Sequence, residues 1–337
     1  MTTSLNDAGT LMSYEMAEQP AVLTRLAARA ATDMSAVREL VPDPPVGIVF
    51  VARGSSDNAA VFGRYLAELH TGRPAGLASP SLYTRYRAQV NWGGYLVIAL
   101  SQSGATPEIV STCAQAQAAG ATVIGITNEP GSPLEEVSNL LLSTDAGPER
   151  AIPATKTMTA QMLLVATVVA AIAGQETGPE TAELPAAVRS VLRDQHPVDE
   201  LAERWRDIDR LIVTGRGLAY AAALEIALKI KETTGILAEG ISTADLRHGP
   251  IATAFAGSPV LLINAGGPAA ADIKELGSML NVRGGQAALL PLSTSLPEPA
   301  QVIASVVRGQ QLARALALAN GIDPDSPQGL TKVTPTT

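Results

Sequence analysis

The sequence predicts an α/β protein made of two doubly wound parallel sheets in tandem, each flanked by helices. Three observations carry that expectation. Short β-branched or leucine-rich runs alternate with helical patterns in both halves of the chain, and such alternation requires a parallel sheet covered on both faces. A Gly/Pro/Glu-rich stretch over residues 174–184 interrupts the alternation, which then restarts. Arg53-Gly54-Ser55 and Arg216-Gly217-Leu218 follow the first strand of each half in the same way. At 337 residues the chain is long enough for two domains, each with its own core.

Taken in order, residues 13–40 read as a leading helix, with Met16, Leu23, Leu26 and Ala30 spaced for one face. Strand runs follow at 46–52, 95–100, 122–127 and 139–143, with helical patterns at 58–70 and 108–119 between them. A long apolar helix covers 155–173. After the interrupting stretch come a connecting helix at 186–203, a strand at 211–214, the Gly215-Arg216-Gly217 turn and a helix at 219–233. Further strands are expected at 258–264 and 287–290, and a late helix at 300–319. The chain therefore divides into a leading helical region at 1–40, a first domain at 41–175, a second at 200–320 and a tail at 321–337. In sheets wound this way a ligand belongs outside the carboxyl ends of the strands.

Composition narrows the partners. A net charge of -8 argues against nucleic acid, because binding a phosphate backbone takes a basic surface, whereas a small anion needs only local donors. The single cysteine, Cys113, precludes an internal disulfide and fits a reducing compartment. Met1-Thr2-Thr3-Ser4-Leu5-Asn6-Asp7 carries neither the basic start nor the apolar centre of a signal peptide. Residues 162–173 are strongly apolar but too short to span a bilayer. A cytoplasmic protein with no membrane or nucleic-acid partner is expected.

The densest chemistry lies in Ser101-Gln102-Ser103-Gly104-Ala105-Thr106-Pro107-Glu108. Thr106 suits an N-cap, Pro107 the first helical position and Glu108 the positive end of a helix. Ser101, Gln102, Ser103 and Thr106 then gather hydroxyls and free backbone N–H groups, as a phosphate requires. The residues alone equally allow an ordinary polar turn, and without a lysine the loop is no nucleotide P-loop. Glu225, Lys229 and Glu232, at i, i+4 and i+7, share one helix face, a pattern that a solvated salt-bridge stripe also shows. His248 stands in the constrained Asp245-Leu246-Arg247-His248-Gly249-Pro250 turn and suits proton transfer, although a loop histidine bonded to nearby backbone fits as well. His70 reads as a helix C-terminal cap and His196 as a structural residue. Lys156 opens an apolar helix where the dipole disfavours a cation, which points to a nearby anion or carboxylate unless the side chain is at the surface. Lys332 by itself reads as part of a frayed end. No Cys/His cluster suits zinc, no Gly-x-Ser-x-Gly elbow follows a strand, and Gly215-Arg216-Gly217 lacks the third glycine of a dinucleotide fingerprint.

Together these motifs resemble the tandem sugar isomerase (SIS) domain proteins. Within them the chain is similar to the isomerase half of glucosamine-6-phosphate synthase and, more closely, to the stand-alone glucosamine-6-phosphate deaminases of that fold. The resemblance begins at Met16-Ala17-Glu18-Gln19-Pro20 and runs through Gly54-Ser55-Ser56-Asp57, Ser101-Gln102-Ser103-Gly104 and Ala154-Thr155-Lys156. It continues with Ala227-Leu228-Lys229-Ile230-Lys231-Glu232 and His248-Gly249-Pro250. It ends at Gly321-Ile322-Asp323-Pro324-Asp325 and Leu330-Thr331-Lys332-Val333-Thr334. It implies two tandem SIS domains acting on a hexosamine 6-phosphate with neither metal nor organic cofactor. Ser101, Gln102, Ser103 and Thr106 would bind the phosphate, Ser55 and Ser56 would add hydroxyl contacts, and the Ala154-Thr155 segment would lie over the sugar. Glu232 would be the base that moves a proton between C1 and C2, with Lys229 supporting the hydroxyls or the charge there. His248 would open the ring from the neighbouring subunit of a homodimer. Lys332 would close over the sugar from the tail and form a Schiff base with a ketose carbonyl.

The chain departs from the synthase pattern where Ile-His-Ala-Glu becomes Ile236-Leu237-Ala238-Glu239, and where Pro153 replaces a small residue and removes a backbone donor. With no glutaminase half and no nucleophilic cysteine at position 2, the implied reaction runs from glucosamine 6-phosphate to fructose 6-phosphate and ammonia. Three alternatives stand beside it: a lyase that expels the C3 hydroxyl of N-acetylglucosamine 6-phosphate, a fructosamine-6-phosphate deglycase, and a non-catalytic sugar-phosphate sensor.

Overall fold

A computed structural model describes residues 8–176, 179–327 and 329–332. Position 2, Val333 and Thr334, and the outer ends of the leading region and tail, lie outside the described residues. The chain packs as two compact units. The first comprises residues 21–148 and 156–176 with 179–182, and the second 8–20, 149–155, 183–327 and 329–332.

The leading helix α1 (Thr10–Leu40) contributes to both units. In the first unit it is followed by β1 (Ile48–Val51), α2 (Ser55–Thr71), β2 (Ala75–Leu77), α3 (Ser81–Thr84) and β3 (Leu96–Leu100). Then come α4 (Pro107–Ala118), β4 (Thr122–Thr127), α5 (Pro133–Glu136), β5 (Leu140–Ser143) and α6 (Lys156–Ile172). The five strands are parallel and ordered β2-β1-β3-β4-β5. Side chains alternate across the sheet: Val51, Val97, Ala99 and Val123 join Ile109 and Cys113 of α4 in one core. Phe50 points to the other face, where Gly63 lets α2 approach closely. A Cβ at Gly63 would lie 2.5 Å from Phe50 and 2.6 Å from Val165 of α6. Burial pushes the Cys113 thiol up to about 12, so the single cysteine stays protonated and packs as an apolar residue.

The second unit holds α7 (Pro179–Arg193), α8 (His196–Arg204), β6 (Arg210–Gly215), α9 (Ala219–Thr234), β7 (Leu237–Ser242) and α10 (Thr243–Arg247). It continues with α11 (Ile251–Phe255), β8 (Val260–Leu262), α12 (Ala270–Val282), β9 (Ala287–Leu289) and α13 (Glu298–Ala319). Its parallel sheet, β7-β6-β8-β9, repeats the winding of the first without a fifth strand. Ile212, Val260 and Leu262 form a core with Leu246, Ile273 and Leu276. Elsewhere in this unit α9 packs on α13, with Gly309 pressed against Ile226. The repeat extends to details. Gly54 and Gly217 take φ values of 60° and 61° after the first strand of each unit. Arg53 pairs with Glu108 at 2.7 Å, and Arg216 with Asp272 at 2.6 Å, each acid lying in the first turn of the helix after the sheet's third strand in sequence.

Several elements differ from the sequence reading. Strands β2 and β7 were not anticipated, because Ala-Gly-Leu is too short to show a period and Glu239 and Gly240 break the apolar alternation of β7. The single connecting helix is two, α7 and α8, broken near Gln195 with Pro197 in the first turn of α8. Part of the expected boundary stretch is therefore helical. Thr106 occupies the N-cap position of α4 but makes no side-chain capping bond. The C-cap of α2 is Gly72 in the left-handed conformation, while His70 faces Gln175, with Nδ1 3.2 Å from Nε2. In the second unit, Leu237 pairs with Arg210, the first residue of β6. Helix α9 thus returns from the carboxyl end of β6 to the amino edge of the sheet. Glu232, in its last turn, lies at that amino edge, not at the carboxyl end where the winding rule places ligands. No helix among the described residues is long and apolar enough to cross a membrane.

Candidate active site

In the first unit the polar loop continues β3. The Ser101 N–H donates to Ile126 O at 3.0 Å, adding one rung to the sheet, and Gly104 then turns the chain with φ +60°. The Gly104 N–H donates to the Ser101 hydroxyl at 3.1 Å and to its carbonyl at 3.2 Å. A Cβ at Gly104 would fall 2.0 Å from Ser132 Oγ, so both space and backbone demand glycine. The Gln102 carbonyl is pinned by the Asn128 N–H and the Thr127 hydroxyl. The Ser101 and Thr106 hydroxyls lie 3.4 Å apart, and Ser103 Oγ accepts the Ala105 N–H at 3.3 Å. Among the described residues the N–H groups of Gln102, Ser103 and Thr106 meet no protein acceptor. Three hydroxyls and these donors ring the start of α4, the arrangement that binds an anion. Ser55 and Ser56 open α2 on the neighbouring strand, one half-buried and one buried, and the Arg53–Glu108 pair ties that turn to α4. Lys156 is not at the surface: it is 1% exposed, and its Nζ donates to Pro148 O at 2.8 Å.

In the second unit the α9 stripe is buried, not solvated. Glu225 and Lys229 are 0% and 1% exposed, and the Lys229 ammonium sits 3.7 Å from Glu225 and in contact with Glu232 Oε2. Burial by itself would depress the Lys229 pKa. Glu225 and Glu232, with a contribution from Glu149, outweigh burial and raise it above the ordinary lysine value. Glu232 keeps 24% of its side chain exposed, so of the three it is the one that solvent or a ligand can meet.

Glu149 links this cluster to the tail. One of its oxygens accepts the Thr155 N–H at 2.9 Å; the other accepts Lys332 Nζ at 2.9 Å. Lys332 also donates to Ala151 O at 2.7 Å, so it is docked and not frayed. Ala154 is half-buried, and the buried Thr155 Oγ1 has no hydrogen-bond partner among the described residues. Glu15 of α1 accepts the Arg150 and Ala151 N–H groups, and burial, with Glu149 nearby, raises its pKa despite those bonds. The sequence reading missed Glu149 and Glu15. Glu149 follows Gly147-Pro148 with no pattern to mark it. Glu15 and Gln19 had a usable signal, since they are polar side chains at the buried phase of an amphipathic helix.

His248 lies elsewhere. It is exposed at the C-cap of α10, beside a cleft of about 280 Å³ shared with Arg216, Arg247 and Asp272. It follows the carboxyl end of β7, whereas Glu232 precedes its amino end. Six residues of β7, roughly 20 Å of strand at about 3.3 Å per residue, lie between the segments that carry them. His196 opens α8 within 3.8 Å of Glu200 and meets none of these groups. Among the described residues no three His, Cys, Asp or Glu side chains are grouped to hold a metal ion.

A model of the SIS domain matches residues 46–171 and 206–295. Over 303 residues the chain is 33% identical to a glutamine–fructose-6-phosphate aminotransferase (isomerizing) of Methanothermobacter thermautotrophicus, covering 85% of this chain and 51% of that protein. The chain thus spans about half the length of the curated relatives it matches. Among solved structures, the C-terminal domain of a glucosamine-fructose-6-phosphate aminotransferase from Francisella tularensis superposes with a TM-score of 0.84 at 25% identity, covering 96% of this chain and 100% of that one. A glucosamine-6-phosphate deaminase from Thermotoga maritima shares the fold, with a TM-score of 0.74 at 22% identity and coverage of 94% and 100%.

Proposed function

The chain belongs to the SIS domain family, and from that premise we propose that it is an amino-sugar-phosphate enzyme, a glucosamine-6-phosphate deaminase/isomerase. The observation that carries the reading is the buried Glu225–Lys229–Glu232 cluster with Lys332 held beside it on Glu149. Moving a proton between C1 and C2 of an open-chain sugar requires a positioned carboxylate with a fixed countercharge. Glu232 is the accessible carboxylate and Lys229 the fixed cation.

In this reading the Ser101–Thr106 loop, with Ser55 and Ser56, takes the phosphate, and the Ala154-Thr155 segment takes sugar hydroxyls. Glu232 removes the C2 proton of the open aldose and returns it to C1 through an enolamine. Lys332 adds to the resulting C2 imine and ammonia leaves, forming a Schiff base. Water then hydrolyses it to fructose 6-phosphate and the free Lys332 amine, and the reverse direction retraces these steps. His248 opens the ring. Its place beyond the opposite end of β7 from Glu232 supports its acting in the neighbouring subunit of a homodimer.

The test incubates the protein separately with glucosamine 6-phosphate and N-acetylglucosamine 6-phosphate, following ammonia, ultraviolet absorbance and product mass. Ammonia with fructose 6-phosphate from the first is the expected result. An unsaturated product lighter by one water from the second replaces the deaminase with a lyase. Tight binding without turnover of either replaces it with a sensor.

A further inference from the structure

Lys332 is held by groups that are themselves held. Its two acceptors, Glu149 Oε2 and Ala151 O, belong to a segment that forms no helix or strand. What shapes that segment is Glu15, whose buried carboxylate takes the N–H groups of Arg150 and Ala151 together. The tail is anchored one turn earlier, at the start of α1. Asp325 accepts the Leu11 and Met12 N–H groups at 2.8 and 2.7 Å, two of the orphan donors at the start of the helix, and Asp323 accepts the Gly9 N–H at 2.9 Å. The Ile152 N–H closes the loop by donating to Asp325 O at 3.3 Å. Met12, Met16 and Ala151 pack together beneath these bonds.

We propose that Glu15 and Asp325 are positioning residues for Lys332: the first turns of α1 form a strut that fixes the receiving segment through Glu15 and the tail through Asp325, so that the Lys332 amine is presented at one place. Neither residue touches the reacting atoms. A buried carboxylate is costly unless its lone pairs are used. The buried Glu15 spends its lone pairs on backbone donors of the receiving segment, and the half-buried Asp325 ties the tail to the first turn of α1. The consequence for turnover rests on the proposed imine role of Lys332; the placement itself does not.

The test is competitive acetylation of the intact protein by trace acetic anhydride, read by mass spectrometry, with the exposed Lys274 as internal standard. Glu15→Ala should raise Lys332 labelling about tenfold relative to Lys274, the factor that about 1.4 kcal/mol of lost protection represents. The buried Lys156 and Lys229 should label as in the parent. Glu15→Gln keeps an acceptor oxygen in place and should restore protection, and Asp325→Ala should expose Lys332 as Glu15→Ala does. Unchanged Lys332 labelling in both alanine variants overturns the proposal. So does a parallel rise at Lys156 and Lys229, which would mean general loosening. If Glu15→Ala does not fold, the Asp325→Ala and Glu15→Gln pair decides by the same criteria. No substrate enters this experiment, so its failure is separate from failure of the deaminase reading.

Discussion

At Lys229 one ammonium sits inside the protein between Glu225 and Glu232. Removing it leaves a fully buried carboxylate without its countercharge, and breaking such a pair costs about 3–5 kcal/mol. Lys229→Met should therefore lower stability by that order in urea unfolding, a loss much larger than a surface pair would show. Because its pKa lies above the ordinary lysine value, the pairing is complete throughout the neutral range and is lost only as pH rises through that higher value. Glu232→Gln removes the proton acceptor while keeping the shape. It should cut kcat by about 10²–10⁴-fold with sugar-phosphate affinity retained, as measured by titration calorimetry. The spacing of Glu225, Lys229 and Glu232 placed them on one face, but spacing is blind to whether that face meets water or protein.

Helices α2 and α9 pack in the same manner, each with a glycine at its closest crossing. Gly63 sits under Phe50 and Val165, and Gly309 of α13 sits under Ile226. A methyl group at Gly309 has nowhere to go. Gly309→Ala should destabilise by roughly 1–3 kcal/mol in denaturant unfolding through overpacking, despite alanine's higher helix propensity. The long strands were readable because they are buried on both faces and run as continuous apolar segments. The edge strands β2 and β7 were not, since one is three residues long and the other carries a glutamate and a glycine. The Ser101–Thr106 loop was placed correctly between β3 and α4. Its internal bonding differs from a capping pattern because Thr106 turns its hydroxyl toward Ser101 and away from the helix N–H groups.

Over the whole molecule, Glu15, Asp33, Asp57 and Glu298 all have raised carboxyl pKa values, each chiefly from burial. A raised carboxyl pKa means that the folded state binds protons more readily than the unfolded chain. These groups then favour folding progressively as pH falls from neutral toward the ordinary carboxylate range, and change nothing below it. Melting temperature should rise as pH is lowered from neutral toward the ordinary carboxylate range, as read by calorimetry at constant ionic strength. The proposed trans role of His248 has its own test at this scale. Inactive Glu232→Gln and His248→Ala variants, unfolded together and refolded as a random mixture, should recover about a quarter of parental activity. Half of the resulting dimers pair unlike chains, and each of those holds one intact site of two. No recovery would remove His248 from the neighbouring site.

The sequence by itself determined the winding. Alternating strand and helix periods, the turn glycines Gly54 and Gly217, and the interruption after residue 173 follow from steric and burial rules that act over a few residues. It also marked the side chains capable of chemistry, because serine-rich loops before a helix and charged residues at helical spacing are local patterns. Only the tertiary structure decided which of these residues are buried, and at which end of the second sheet Glu232 lies. It alone brought Glu15, Glu149 and Lys332 together from positions 134 and 183 residues apart in the chain. Burial and long-range pairing depend on how separate segments pack, and no local pattern records a partner so distant.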